Sequence, residues 1–120
     1  MKYFLDTYAM VEISNGNLRY LRFRNHKMFT SFFHLYELYY STLRDHNEET
    51  ARLLFYKFFD CIVFIKAEHI FKASHFKLEH RKANISYADA IGYCIAEIEG
   101  MRFLTGDIAF KGIKNVEFVQ

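Results

Sequence analysis

The feature of this sequence that most constrains its fold is a series of short, mainly apolar runs separated by longer stretches with helical spacing. We predict five strands from these runs, at Tyr3–Leu5, Lys27–Ser31, Cys61–Ile65, Arg102–Leu104 and Val116–Val119. Strands that are apolar along their length are buried on both faces, and strands that alternate with helices are typical of parallel sheets. The pattern therefore predicts an α/β fold in which helices cover both faces of a mostly parallel sheet.

The stretches between the runs predict helices of two kinds. Tyr87–Glu99 is the most apolar of them and is expected to pack centrally, with Gly100 ending it. Glu68–Lys82 is predicted to be an amphipathic helix with one side formed by Ile70, Phe71, Ser74 and Leu78.

Length and composition set broad limits on the class of protein. The 120 residues fit one domain over residues 1–120, and a hydrophobic content of 52 % is enough for a packed core. No apolar run approaches the roughly 18 residues that cross a bilayer, and Asp6 comes too early for a signal peptide. Cys61 and Cys94 form no CxxC pair and predict buried free thiols. We therefore expect a cytoplasmic protein without a membrane partner. The net charge of +2 does not by itself indicate a nucleic-acid partner.

Four acidic residues are predicted to meet at one edge of the sheet. Asp6 directly follows the first strand and Asp107 closely follows the fourth, so both lie at the carboxyl edge, where α/β sheets bind ligands. Asp89 lies in the first turn of the helix that leads into the fourth strand, and Glu37 lies in the second turn of the helix after the second strand. Both helices begin at that same edge, although the strand order that decides whether the acids touch does not follow from the sequence.

Carboxylates that crowd together favour a metal ion between them. Two like charges 4 Å apart repel by about 4 kcal/mol at an effective dielectric constant near 20. Mg²⁺ or Mn²⁺ prefers oxygen ligands and relieves this repulsion. Such an ion can also activate a water molecule for attack on a phosphodiester.

Each acid also has an ordinary structural explanation. Asp6 can cap a helix, Asp107 can be a turn residue, and Asp89 stands three residues after Ser86, which is the spacing of a capping box. Glu37 is harder to explain in this way, because it lies among apolar and aromatic neighbours, where an unpaired charge costs several kcal/mol. The joint pattern is therefore more informative than any single acid.

The segments around these acids resemble the four motifs of the PIN-domain family, and in particular of its VapC-type toxin ribonucleases. The resemblance covers nearly the whole chain, and the segments that carry it are Tyr3–Thr7, Thr30–Leu43, Ser86–Ile91 and Phe103–Asp107.

The resemblance implies a three-layer α/β/α sandwich and a Mg²⁺- or Mn²⁺-dependent endoribonuclease that cleaves RNA. It also implies, in many members, a homodimer and, among the toxins, a small antitoxin whose tail covers the active site. By motif match, Thr105 is a hydroxyl that orients the acids, and Thr7 is a weaker candidate of the same type. The resemblance also implies that four acids bind the metal and act in catalysis, namely Asp6, Glu37, Asp89 and Asp107.

Five positions depart from the family pattern. Gly106 stands where a polar residue is frequent, and Ala109 stands where many members carry a further acid. Tyr8, Tyr93 and Cys94 occupy places where small residues are common. The departures leave the number of metal ions and the choice of substrate open.

Three alternatives remain beside the toxin. A housekeeping RNA-processing nuclease would use the same chemistry, and a non-catalytic module would keep the fold and bind RNA or a protein without cutting. A phosphoacceptor receiver domain is disfavoured, because it needs paired acids after its first strand and an aspartate after its third, where this chain has Asp6 alone and Lys66. The histidines show no ligand spacing, which predicts surface or ordinary helical roles for His26, His34, His46, His69, His75 and His80.

Overall fold

The computed structural model describes residues 1–120 and contains one parallel sheet of four strands. The strands are β1 (Lys2–Leu5), β2 (Lys27–Phe29), β3 (Arg102–Thr105) and β4 (Val116–Phe118). Their order across the sheet is β2-β1-β3-β4, and every neighbouring pair is parallel. The two central strands, β1 and β3, therefore lie side by side although about 100 residues separate them along the chain.

Five α-helices connect and cover these strands. They are α1 (Thr7–Ser14), α2 (Phe32–Asp45), α3 (Glu48–Lys57), α4 (Ala67–Glu79) and α5 (Tyr87–Glu99). Short 3-10 turns occupy Leu18–Phe23, Phe59–Cys61, Arg81–Ala83 and Ile108–Phe110. Four α-helices begin at a side chain that accepts a hydrogen bond from a backbone N–H of the first turn, and these capping residues are Asp6, Ser31, Asn47 and Ser86.

Helices cover both faces of the sheet, which confirms the predicted three-layer α/β/α arrangement. Side chains alternate between the faces of a strand. Tyr3 and Leu5 of β1 accordingly pack in one apolar cluster with α1 and α2, whereas Phe4 packs in a second cluster with α4 and α5. The sheet is thus buried on both faces, as its uniformly apolar strands predict.

The predicted fifth strand at Cys61–Ile65 is wrong. This segment makes one isolated parallel bridge beside the edge strand β2, in which the Thr30 N–H donates to the Cys61 carbonyl at 2.9 Å and the Val63 N–H donates to the Thr30 carbonyl at 2.8 Å. Its apolar residues are explained by packing on both sides, because Ile62 contacts one cluster and Val63 the other. The apolar residues of this run therefore indicate that an extended segment is buried at the edge of the sheet. They do not indicate that the segment forms a full hydrogen-bonded strand.

The side of helix α4 that packs against the core is not the apolar side that the sequence predicts. Its buried residues are His69 and Ala73, whereas Ile70, Phe71 and Leu78 of the predicted apolar side are exposed. Hydrophobic spacing shows that a helix has an apolar stripe, but it does not show which neighbour covers that stripe. No helix of the chain combines the length and apolar character that membrane crossing requires.

Candidate metal centre

The four predicted acids all line one cleft of about 620 Å³ at the carboxyl edge of the sheet. The strand order brings them together, because β1 and β3 are neighbours and the residues that follow them share one rim. The first turn of α5 and the second turn of α2 reach the same rim with Asp89 and Glu37. The remaining residues that line the cleft are Thr7, Tyr8, Tyr40, Ser41, Arg44, Ser86, Gly106, Ile108 and Gln120.

Asp6 lies at the floor of this cleft and is only 2 % exposed. One carboxylate oxygen accepts the N–H of Ala9 at 2.8 Å, so Asp6 does cap α1, and the other oxygen accepts the hydroxyl of Thr105. The pKa of Asp6 is raised to about 7, mainly by burial. The hydrogen bonds from Thr105 and Ala9 lower it, and the charges of Asp107 and Glu37 add to the rise. Asp6 therefore both caps α1 and belongs to the group of acids that line the cleft.

Thr105, the last residue of β3, links two of the acids. Its hydroxyl is fully buried, donates to Asp6 and accepts the backbone N–H of Asp107 at 3.0 Å. The Asp107 carboxylate in turn accepts the N–H of Ala109 at 3.0 Å and caps a 3-10 turn. One hydroxyl thus sets the position of a buried carboxylate and of the backbone that carries a second one.

Glu37 and Asp89 complete the cluster from the helical layers. The hydroxyl of Thr7 donates to Glu37 at 2.7 Å, so a residue of α1 orients an acid of α2. Burial raises the pKa of Asp89, and the charge of Asp6 and the nearby carboxyl of Asp107 raise it further. Asp89 and Asp107 thus lie near each other in the cleft, together with the buried Asp6.

The donor set fits a hard divalent cation. It consists of carboxylate oxygens, which such ions prefer, and burial and the neighbouring carboxylates disfavour the charged form of its buried member, Asp6. No three of the four acids have ligand atoms within 4.8 Å of one another. A hard cation that keeps several of its own waters, as Mg²⁺ commonly does, would suit this cluster.

A second group of potential ligands lies elsewhere, where Glu68, His69 and Glu99 have ligand atoms within 4.8 Å. The His69 Nδ1 atom accepts the Lys66 N–H at 3.0 Å, so its Nε2 atom carries the proton and donates to Glu99 at 2.9 Å. Neither ring nitrogen has a free lone pair for a metal. His69 is thus a buried structural link between α4 and α5, which the sequence had not distinguished from a surface histidine.

Sequence reasoning also missed part of the cleft wall on α2. Tyr40 and Arg44 line the cleft together with Glu37. Their spacing of three and seven residues from Glu37 places them on the same helical face, a signal that was available in the sequence.

Comparisons with known proteins agree with this geometry. The family model that describes the PIN domain matches residues 3–116. No curated protein gives a significant sequence match. Among solved structures, the chain is similar to VapC20 of Mycobacterium tuberculosis, a toxin that cleaves the sarcin-ricin loop, with a TM-score of 0.76, 16 % identity, and coverage of 95 % of this chain and 98 % of that one. It is also similar to a chain of VapBC2 from Rickettsia felis bound to a promoter DNA fragment, with a TM-score of 0.75, 23 % identity, and coverage of 99 % and 98 %.

A chain of the DNA-bound VapBC complex from Salmonella typhimurium gives a TM-score of 0.76 at 18 % identity, with coverage of 99 % and 97 %. At these identities the solved structures establish a shared fold. The family model matches more than nine-tenths of the sequence, and the four motif acids lie together at the carboxyl edge of the sheet. This chain therefore belongs to the PIN-domain family.

Proposed function

We propose that this protein is a divalent-metal-dependent endoribonuclease and the toxin of a toxin–antitoxin pair. The observation that carries the proposal is the convergence of four carboxylates, from four separate segments of the chain, on one cleft around a buried aspartate. Such an arrangement is unfavourable without a cation, because burial and like charge both oppose ionisation.

The roles of the residues follow from their contacts. Asp6, Glu37, Asp89 and Asp107 would hold the ion, which when bound as Mg²⁺ or Mn²⁺ supplies an activated water and neutralises charge on the phosphodiester. The Thr105 hydroxyl orients Asp6 and the backbone of Asp107. Thr7 fixes the rotamer of Glu37. The hydroxyls thus keep the carboxylates aimed into the cleft before any ligand arrives, which limits the reorganisation that binding requires.

Metal-dependent cleavage of RNA by the purified protein tests the enzyme. We expect cleavage in Mg²⁺ or Mn²⁺, none in EDTA, and a loss of at least about a hundredfold in Asp6→Asn and Asp89→Asn, as is typical when a directly acting group is removed. Asp60→Asn is the matched control, because Asp60 is exposed in a 3-10 turn outside the cleft. Cleavage that persists in EDTA, or RNA binding with no cleavage in any metal, would favour the non-catalytic module.

The antitoxin part of the proposal is supported by an apolar groove beside the cleft. The groove has a volume of about 620 Å³ and is lined mainly by apolar side chains, among them Phe33, Ile70, Leu78, Tyr87 and Ile91. The first turns of α5 separate the two features, because Ser86 and Asp89 line the cleft whereas Tyr87, Ala90 and Ile91 line the groove. A partner segment that lies in the groove would therefore reach the edge of the acidic cleft.

Expression in a bacterial host separates the toxin from a housekeeping nuclease. We expect growth arrest on induction of the wild-type chain, no arrest with Asp6→Asn, and rescue when the product of a short neighbouring gene is co-expressed. Normal growth at high expression of an active nuclease would favour the housekeeping alternative.

A homodimer in the cytoplasm completes the proposal, and it rests on the family resemblance. Light scattering of the purified chain should give twice the monomer mass of 14.4 kDa. A monomeric mass at micromolar concentration would contradict this part of the proposal alone.

A further inference from the structure

Two departures from the family pattern, Tyr8 and Gly106, form a single structural feature. A Cβ atom added to Gly106 would lie 2.6 Å from Cζ of Tyr8 and closer still to Cε1. The ring of Tyr8 therefore occupies the space that a side chain at position 106 would fill. Ninety-eight residues separate the two positions, and only the pairing of β1 with β3 brings them together.

The Tyr8 ring is supported from behind but remains accessible. Tyr20, which is 1 % exposed, lies on its inner side, with the two ring centroids 6.4 Å apart. Tyr8 itself is 37 % exposed and lines the acidic cleft two residues after Asp6. A ring held against a glycine and a buried aromatic neighbour loses little conformational freedom when a ligand stacks on it.

The α2 side of the cleft carries the groups that would accompany such a ligand. Arg44 is the one cationic side chain that lines the cleft. Its guanidinium carbon lies 5.6 Å from the ring centroid of Tyr40, which is 58 % exposed. Arg44 is exposed and pairs with Asp45 at 2.8 and 3.0 Å, so it is free to exchange this surface partner for a phosphate.

Resting on the proposed RNA cleavage, we propose that Tyr8 is a specificity-determining residue that stacks on an unpaired nucleobase next to the scissile phosphate, while Arg44 contacts the backbone. A base can stack on a protein ring only when it is not already stacked within a duplex, so the substrate is single-stranded RNA or an RNA loop. The carboxylates that surround Asp6 repel a phosphate backbone, so stacking on Tyr8 and an ion pair with Arg44 are attractive contacts that the cleft offers to RNA away from these acids.

The test removes the base and the ring separately. A single-stranded RNA with one cleavage site is prepared as a series in which each nucleotide near that site is made abasic in turn, and kcat/KM is measured in Mg²⁺. For the wild type we expect a loss of roughly tenfold at one position, the size of one stacking contact. Tyr8→Ala should lose about tenfold on the intact RNA and nothing further at that position, whereas Tyr8→Phe should restore the sensitivity to the missing base.

Three further variants keep the test decisive. Tyr8→Leu retains apolar contact with Gly106 without an aromatic face, so it separates stacking from folding. Tyr36→Ala removes an exposed tyrosine of α2 that lies outside the cleft, and it should leave every ratio unchanged. Arg44→Gln should raise KM about equally for all RNAs of the series, because a phosphate contact does not read the base.

The outcomes separate this inference from the proposed function. If the wild type cleaves RNA in Mg²⁺ but Tyr8→Ala and Tyr8→Leu show the same abasic profile as the wild type, the stacking role is refuted and the nuclease stands. If no RNA is cleaved, the proposed function fails, and anisotropy of a labelled single-stranded RNA then decides the inference. Roughly tenfold weaker binding by Tyr8→Ala supports it, and equal binding or none refutes it.

Discussion

Replacement of Asp6 by asparagine should stabilise the metal-free protein at neutral pH, although it should abolish activity. The carboxyl of Asp6 has a pKa of about 7 in the folded state, whereas an unperturbed aspartate has a pKa of 3.8. A folded-state pKa that is raised above the unfolded value contributes stability that is complete below about pH 4 and is lost as the pH rises through about 7. At pH 8 this raised pKa lowers the free energy of unfolding of the wild type by about 4 kcal/mol. The asparagine variant has no carboxyl to ionise, so it does not lose this stability.

Asparagine also has a cost. Its amide nitrogen cannot accept the hydroxyl proton of Thr105, so one buried hydrogen bond is lost or rearranged, at about 1 kcal/mol. We therefore expect metal-free Asp6→Asn to be about 3 kcal/mol more stable than the wild type at pH 8 and about 1 kcal/mol less stable at pH 4. Burial lowers the pKa of His34 to about 4, but its titration is common to both proteins and cancels in the difference.

Urea unfolding in EDTA at pH 4, 6 and 8, followed by circular dichroism, measures this difference. Mg²⁺ at a thousand times the dissociation constant should reverse the order at pH 8, because only the wild type gains the full binding energy, about 4.1 kcal/mol. The exposed control Asp60→Asn should show no such pH dependence. A difference between Asp6→Asn and the wild type that does not change from pH 4 to pH 8 would refute the reasoning from burial and like charge.

The remaining predictions concern the supports of the cleft and the packing behind it. Thr105→Val keeps the side-chain shape but loses both hydrogen bonds of the hydroxyl. It should therefore weaken Mg²⁺ binding by about tenfold in calorimetry and lower the free energy of unfolding by about 1–3 kcal/mol. An affinity equal to that of the wild type would show that Asp6 needs no such support. Gly106→Ala should cost about 1–2 kcal/mol in the wild type and almost nothing in Tyr8→Ala, and a double-mutant cycle without this coupling would contradict the shared space. Gly92→Ala should cost about 2–3 kcal/mol, since its new Cβ would lie 2.9 Å from a buried imidazole and a buried phenyl ring, and unchanged thermal stability would show that the helix can move aside.

Local features of the chain were sufficient to predict much of the fold. Ser86, three residues before Asp89, predicted a cap, and its side chain does accept the Asp89 N–H. Gly100 was predicted to end α5, and it adopts the left-handed conformation with φ of 73°. Placement of the four acids at one edge also followed from the sequence, because the carboxyl ends of parallel strands share a rim whatever their order.

Contacts between distant segments could not be predicted in this way. The spacing of apolar residues in α4 identified a stripe, but the packing of α4 against α5 buries Ala73 and leaves Leu78 exposed in a groove. The apolar run at Cys61–Ile65 looked like a strand because burial on two sides produces the same composition as a ladder. In both cases the sequence reports that a segment is apolar and does not identify its neighbours.

The sequence by itself therefore determined the α/β class, the ends of α5 and the set of acids, because each depends on residues close together in the chain or on a rule of parallel sheets. Only the tertiary structure decided that β1 lies beside β3. That neighbourhood lets Thr105 bind Asp6 and lets the ring of Tyr8 fill the space above Gly106. Strand order arises from the packing of whole faces against one another, a sum over many distant contacts that no local pattern encodes.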